Sequence, residues 1–148
     1  MRFLTLFTFV LVGSNFLPPA DPAAGPTQIV PTFTCTVANV HDGDTIQCAE
    51  RGADGRRLRV RISGIDAREL DGSCAPGHPC ASASPEAATA TLERLVSGQR
   101  LQCRFEGYSY RRLSGFCVNG AGLDVSCAML ASGTVAKWAR YWGDHQCR

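Results

Sequence analysis

The chain has 148 residues, of which 45% are hydrophobic and 19% charged, a balance that suits one soluble domain and excludes a collagen-like, multidomain or disordered polypeptide. Fifteen basic residues against 13 acidic ones leave a formal charge of +2, so no strong global field draws the protein to nucleic acid or anionic membrane, and any polyanion site must be local. Lys137 is the sole lysine; the other basic residues are arginines, whose planar fork grips phosphate or carboxylate bidentately, although composition bias accounts for them as readily.

At the N-terminus, Arg2 is followed by an apolar run from Phe3 to Val12 and by small residues at Gly13, Ser14 and Ala20, the pattern of a secretory signal peptide over residues 1–24. The run is too short for a membrane helix, which needs about 20 apolar residues, and Asn15 and Pro18-Pro19 interrupt it. The expected destination is therefore the periplasm or the medium, with no membrane association after removal. Cleavage after Ser14, Ala20 or Ala24 fits equally well. Residues 25–32 then read as a flexible Pro/Ala/Gly-rich lead-in to a domain spanning 33–148.

Within that domain, Phe33, Cys35 and Val37 alternate with polar or small residues. After the turn His41-Asp42-Gly43, alternation resumes through Thr45-Ile46-Gln47-Cys48, which predicts a hairpin. A turn at Ala53-Asp54-Gly55 leads into a third strand that puts Leu58, Val60 and Ile62 on one face and Arg57, Arg59 and Arg61 on the other, where a solvated surface is the ordinary outcome. Ser84-Pro85-Glu86 starts a helix with Ser as N-cap and Pro in the first turn; Ala88, Leu92, Leu95 and Val96 follow at helical spacing, and Gly98 ends it. Leu101, Cys103 and Phe105 form a strand expected to pair with residues 116–118 across the 108–112 loop. Two short helices follow, one from Asp124 to Gly133 and one near Lys137 to Trp142, on which Trp138, Tyr141 and Trp142 share a face suited to core packing. The order β-β-β-α-β-β-α-α predicts a mainly β (α+β) fold, a five-stranded OB-type Greek-key barrel with three helices.

All eight cysteines follow the apolar segment, and their even number fits four disulfides in an oxidising compartment. No Cys-x-x-Cys pair occurs and the three histidines lack ligand spacing, which argues against zinc. Pairing successive cysteines suits the predicted hairpins and gives Cys35–Cys48, Cys74–Cys80, Cys103–Cys117 and Cys127–Cys147.

Chemistry concentrates at two strand ends, Asp42-Gly43-Asp44-Thr45 and Arg61-Ile62-Ser63-Gly64-Ile65-Asp66-Ala67-Arg68-Glu69. Asp44 and Asp66, with a backbone carbonyl, are the oxygen donors that a hard cation such as Ca²⁺ takes, leaving room for water and a phosphate oxygen. Asp-Gly-Asp by itself is also an ordinary turn.

Asp-Gly-Asp-Thr entering a strand, followed by an arginine five residues before an Asp and a Glu three residues after it, resembles the staphylococcal nuclease (thermonuclease) family. Ser84-Pro85-Glu86-Ala87 is similar to that family's Gly-Pro-Glu-Ala helix entry, and Gly133 to the glycine after its second helix. The resemblance covers nearly all of the predicted domain. It implies an OB-type barrel with three helices and Ca²⁺-dependent hydrolysis of DNA and RNA phosphodiesters to 3′-phosphate products, by a chain expected to act as a monomer on single-stranded or flexible substrate. Asp44, Asp66 and the carbonyl of Ala67 would hold Ca²⁺, with Asp42 supporting them from behind. Arg61 and Glu69 would be catalytic. The family's second arginine, in Tyr-Gly-Arg, corresponds to Arg112 of Tyr110-Arg111-Arg112, with Arg111 as competitor, and Tyr141 would contact nucleotide. The chain departs from the family where Ala67-Arg68 replaces Thr-Pro, which brings a new cation next to the expected metal ligands, and at Ala139, where the family has a second tyrosine. The competing readings are a catalytically inactive barrel that binds nucleic acid or protein, and a cysteine-rich secreted domain whose acidic turns are only turns.

Overall fold

The computed structural model describes residues 30–147. The expected signal segment, and most of the expected lead-in, lie outside the described residues.

Three strands come first: β1 (Thr32–Asp42), β2 (Thr45–Arg51) and β3 (Arg57–Ile62). Strand β1 begins one residue before Phe33, and the carbonyl of Pro31 already accepts from the amide of Phe105. A two-residue strand, β4 (Ile65–Asp66), precedes helix α1 (Pro85–Val96), which Ser84 caps by accepting from the amide of Ala87. Strands β5 (Arg100–Ser109) and β6 (Arg112–Val118) follow, then α2 (Val125–Ser132) between an Asp124 N-cap and a left-handed Gly133. The chain ends in β7 (Ala136–Lys137) and α3 (Ala139–Trp142).

The first three strands meander, β5 returns to pair with β1, and β6 lies between β5 and β3, closing a barrel in the order β1-β2-β3-β6-β5. All its pairs are antiparallel except β3 with β6. This is the expected α+β, OB-type barrel with three helices. Its interior holds Val37, Ile46, Val60, Ile62, Leu101 and Phe116; α1 covers one side with Ala88, Leu92 and Val96, while α2 adds Val125 and Met129. Each fully buried Leu or Ile contributes about 1.5–3 kcal/mol.

The disulfides pair as successive cysteines, as expected: Cys35–Cys48, Cys74–Cys80, Cys103–Cys117 and Cys127–Cys147. The first and third lie wholly inside the barrel, where Cys103 and Cys117 face each other across β5 and β6. Four disulfides fit an oxidising compartment. Among the described residues, no helix is long and apolar enough to cross a membrane.

The C-terminal region departs from expectation. Lys137 is not helical; it pairs with Ile65, as Ala136 pairs with Asp66, and α3 begins at Ala139. Two-residue strands carry no periodicity, so the β4–β7 pair leaves no local signal. The aromatic stripe divides accordingly. Trp142 enters the core against Phe116, whereas Trp138 is half-buried and Tyr141 exposed. Gly64 (φ 74°) permits this, because a Cβ there would lie 2.6 Å from a Trp142 ring carbon.

Gly43, inside the acidic turn, is the other close approach: a Cβ would meet those of Ala88 and Ala67 at 2.5 and 2.7 Å. Gly43→Ala is therefore expected to destabilise the domain by about 1–3 kcal/mol through overpacking, read as a lower urea midpoint with an unchanged slope. An unchanged midpoint would mean that α1 yields freely.

Candidate active site

The closure of β2 onto β3 sets Thr45 opposite Arg61 and brings the two acidic strand ends together. Asp42, Asp44, Arg61, Ala67, Arg68, Glu69 and Arg112 line one cleft of about 200 Å³. Arg61 is not the solvated side chain that its strand face suggests. Its side chain is 13% exposed, and its two terminal nitrogens donate to Asp44 Oδ1 and to Asp66 Oδ1, carboxylates whose side chains are 5% exposed.

Each carboxylate is held further. Asp44 accepts from the Ala67 amide and the Thr45 hydroxyl, both at 3.0 Å, and its own amide donates to Asp42 Oδ1 at 3.1 Å. Arg112 donates to the Thr45 hydroxyl at 3.1 Å, so Arg112, Thr45 and Asp44 form a chain. Arg112 faces the acidic cleft, while Arg111 lines neighbouring concavities on the outside of the barrel.

Burial pushes the Asp44 carboxyl up to about 6 against the pull of Arg61, and Asp42 and Asp66 add to the rise. Burial opposes the charge on Arg61, yet Asp44 and Asp66 more than offset it and hold the guanidinium above its ordinary value. Burial, and then the charge of Arg61, hold Arg112 below its ordinary value. Both guanidiniums line the cleft, and Arg61 is the one paired with carboxylates.

Asp44 and Asp66 carry the oxygen donors that a hard divalent cation takes, and the Ala67 carbonyl would be a third, but Arg61 already engages Oδ1 of both carboxylates and the Ala67 amide engages Oδ2 of Asp44. Among the described residues, compact groups of three metal-ligand side chains occur elsewhere, at Cys35-Cys48-Glu50 and Asp124-Cys127-His145, and their cysteines are all in disulfides. Neither offers the thiolate that a metal needs.

Glu69 stands exposed at the cleft mouth, on a turn closed by its amide to the Ser73 carbonyl and by the Gly72 amide to its own carbonyl. Arg68 lines the same cleft, but its guanidinium is spent on the loop, donating to the carbonyls of Ala81 (2.7 Å) and Gly72 (2.8 Å). It fastens the segment that carries Glu69.

His78 was not singled out from the sequence. The Cys74–Cys80 bridge folds its loop back so that Nδ1 lies 3.1 Å from Asp66 Oδ1 and the ring packs 4.1 Å from that of Trp138. Trp138 also meets Tyr141 edge-on at 4.6 Å and lies 5.6 Å from the Arg61 guanidinium. Trp138, Tyr141, Tyr108 and Tyr110 line a second cleft of about 310 Å³, which shares Arg61, His78, Tyr110 and Arg112 with the acidic one. Only the enclosing cysteines hinted at His78, because its position depends on the β4–β7 pairing that delivers Trp138, whose amide donates to the Gly64 carbonyl.

Replacing Cys74 and Cys80 with serine is expected to cost about 2 kcal/mol, the smallest loop-closure contribution of the four bridges. Hydrogen exchange should show lost protection at the amides of Glu69, Gly72 and His78, with the barrel strands unchanged. Retained protection at those amides would show that Arg68 alone holds the loop.

Comparison with protein-family models and with curated proteins gave no match, so the site is read from its own geometry.

Proposed function

We propose that the protein is an exported, Ca²⁺-dependent phosphodiesterase of the staphylococcal-nuclease type that hydrolyses DNA and RNA to 3′-phosphate products. The observation that carries this reading is the convergence of Arg61 and Arg112 on a cleft that also holds Asp44 and Ala67 and has Glu69 at its mouth. Hydrolysis of a phosphodiester builds negative charge on the non-bridging oxygens, which the two arginine forks at the cleft would stabilise, Arg61 turning part of its fork from Asp44 and Asp66 to do so. Glu69, which lines the cleft, would accept the proton of an attacking water. The bond to the 5′-oxygen breaks, and that oxygen leaves as a hydroxyl after taking a proton from solvent. When bound by Asp44, Asp66 and the Ala67 carbonyl, Ca²⁺ would supply Lewis-acid stabilisation of the phosphoryl oxygens. Since these groups engage phosphate rather than base, little sequence preference is expected. Tyr141, beside Trp138, would contact a nucleotide next to the scissile phosphate.

A second reading has one observation in its favour. Arg61 already satisfies an oxygen of both Asp44 and Asp66, which suits an inactive barrel that binds nucleic acid or protein without chemistry. The oxidised protein is expected to degrade heat-denatured DNA and RNA with Ca²⁺ and to stop when a chelator is added. Absence of cleavage by folded, fully disulfide-bonded protein would overturn the enzymatic reading in favour of the inactive barrel.

A further inference from the structure

Beyond the cleft, the outer face of β3 continues as a row of arginines. Successive same-face residues of a strand are about 6.6 Å apart, comparable to the separation of phosphates along an extended single strand, and Arg61, Arg59 and Arg57 occupy three such positions. The parallel pairing of Val60 with Leu113 lays the β5–β6 hairpin beside this row. Arg59 shares one surface concavity with Tyr110, Arg111 and Arg112; Arg57 and Arg59 share the next with Arg56, Arg111 and Tyr108. The path is continuous with the acidic cleft, because Tyr110 and Arg112 line both. Asp54 is the one acidic residue lining these two concavities. Among the described residues, Arg57, Arg59 and Arg111 take part in no salt bridge.

The hairpin tip adds a second, independent feature. Tyr110 is 95% exposed and Tyr108 76% exposed, and Tyr110 adopts a left-handed backbone (φ 56°), a conformation costly for a non-glycine residue. That backbone is the first position of the two-residue turn between the paired Ser109 and Arg112, and the turn leaves the ring exposed beside Arg59 and Arg111. Rings of this kind stack on bases irrespective of sequence, while arginine forks hold the backbone.

We propose that Arg57, Arg59 and Arg111 with Tyr108 and Tyr110 form an extended binding track for single-stranded polynucleotide, leading away from the scissile phosphate along β3. The proposal builds on the nuclease reading of the adjoining cleft but concerns binding, and it can be tested without turnover.

The test compares parent protein with Arg57→Gln/Arg59→Gln, neither residue belonging to the catalytic cleft, after thermal unfolding has shown equal stability. Binding of fluorescein-labelled oligothymidylates of increasing length is measured by anisotropy in chelator over a range of salt. The variant should bind long oligothymidylate at least tenfold more weakly, and the slope of log affinity against log salt should fall by about 1.4, two phosphate contacts at about 0.7 each on a single strand. Binding of a dinucleotide and Ca²⁺-dependent hydrolysis of a small chromogenic phosphodiester should be unchanged. Equal affinity and slope in the two proteins would overturn the track, as would an equal loss for dinucleotide and long oligomer. Displacement of the oligomer by polyglutamate at matched charge would also overturn it, in favour of an acidic protein surface. Length-dependent binding that needs Arg57 and Arg59, in a protein that cleaves nothing, would uphold the track while refuting the nuclease reading.

Discussion

Glu69→Gln is expected to cleave heat-denatured DNA about 10²–10⁴-fold more slowly than the parent, the range over which a positioned general base contributes. Stability should be unaffected. The side chain is exposed, and the bonds that shape its turn are made by backbone groups of Glu69, Gly72 and Ser73, which the substitution leaves intact. Glutamine keeps the shape and can still orient a water, but it cannot take its proton. Initial rates with Ca²⁺, measured beside a thermal melt, check this. A variant within threefold of the parent would remove Glu69 from the chemistry and leave Arg61 and Arg112 as an anion-binding pair.

Arg61→Met is expected to affect both activity and stability. Removing the guanidinium leaves two carboxylates with 5% exposed side chains without their shared partner. Breaking a buried pair in this way costs about 3–5 kcal/mol, which corresponds to roughly 10–20 °C in melting temperature for a domain of this size. Cleavage should be lost as well, by about 10²–10³-fold if Arg61 stabilises transition-state charge as a preorganised donor does. Arg61→Lys separates the effects: it restores charge but cannot bridge Asp44 and Asp66 with one planar fork, so stability should recover in part and activity should not. Calcium supplies a readout independent of turnover. If Asp44 and Asp66 are cation ligands, millimolar Ca²⁺ should raise the melting temperature of Arg61→Met more than that of the parent, because ligation of the folded state adds stability by mass action. Equal shifts in the two proteins would mean that these carboxylates do not hold the ion.

Much of this molecule was legible because its signals are local. The alternation in Arg57–Ile62 and in Leu101–Phe105, the Ser84-Pro85 and Asp124 helix starts and the Gly133 stop each depend on neighbours within a few residues. Disulfide pairing followed for the same reason, since each bridge joins successive cysteines no more than 20 positions apart. The acidic and basic residues of the cleft also stand out, because strand ends from one meander necessarily meet. The misjudged features are non-local. Burial of Arg61 arises when Asp44 and Asp66 close on it, and alternation reports only that it faces away from Val60.

The sequence by itself determined the five barrel strands and the first two helices, the disulfide pairs and the set of charged residues at the strand ends. Tertiary structure alone decided their partners. It turned Arg112 rather than Arg111 into the cleft and fastened Arg68 to the carbonyls of Gly72 and Ala81. It also placed His78 between Asp66 and Trp138, and sent Trp142 into the core while Tyr141 stayed outside. The physical reason is range: periodicity and caps are read from a few adjacent residues, whereas these placements follow from barrel closure and from the pairing of Ile65-Asp66 with Ala136-Lys137, about half the chain away.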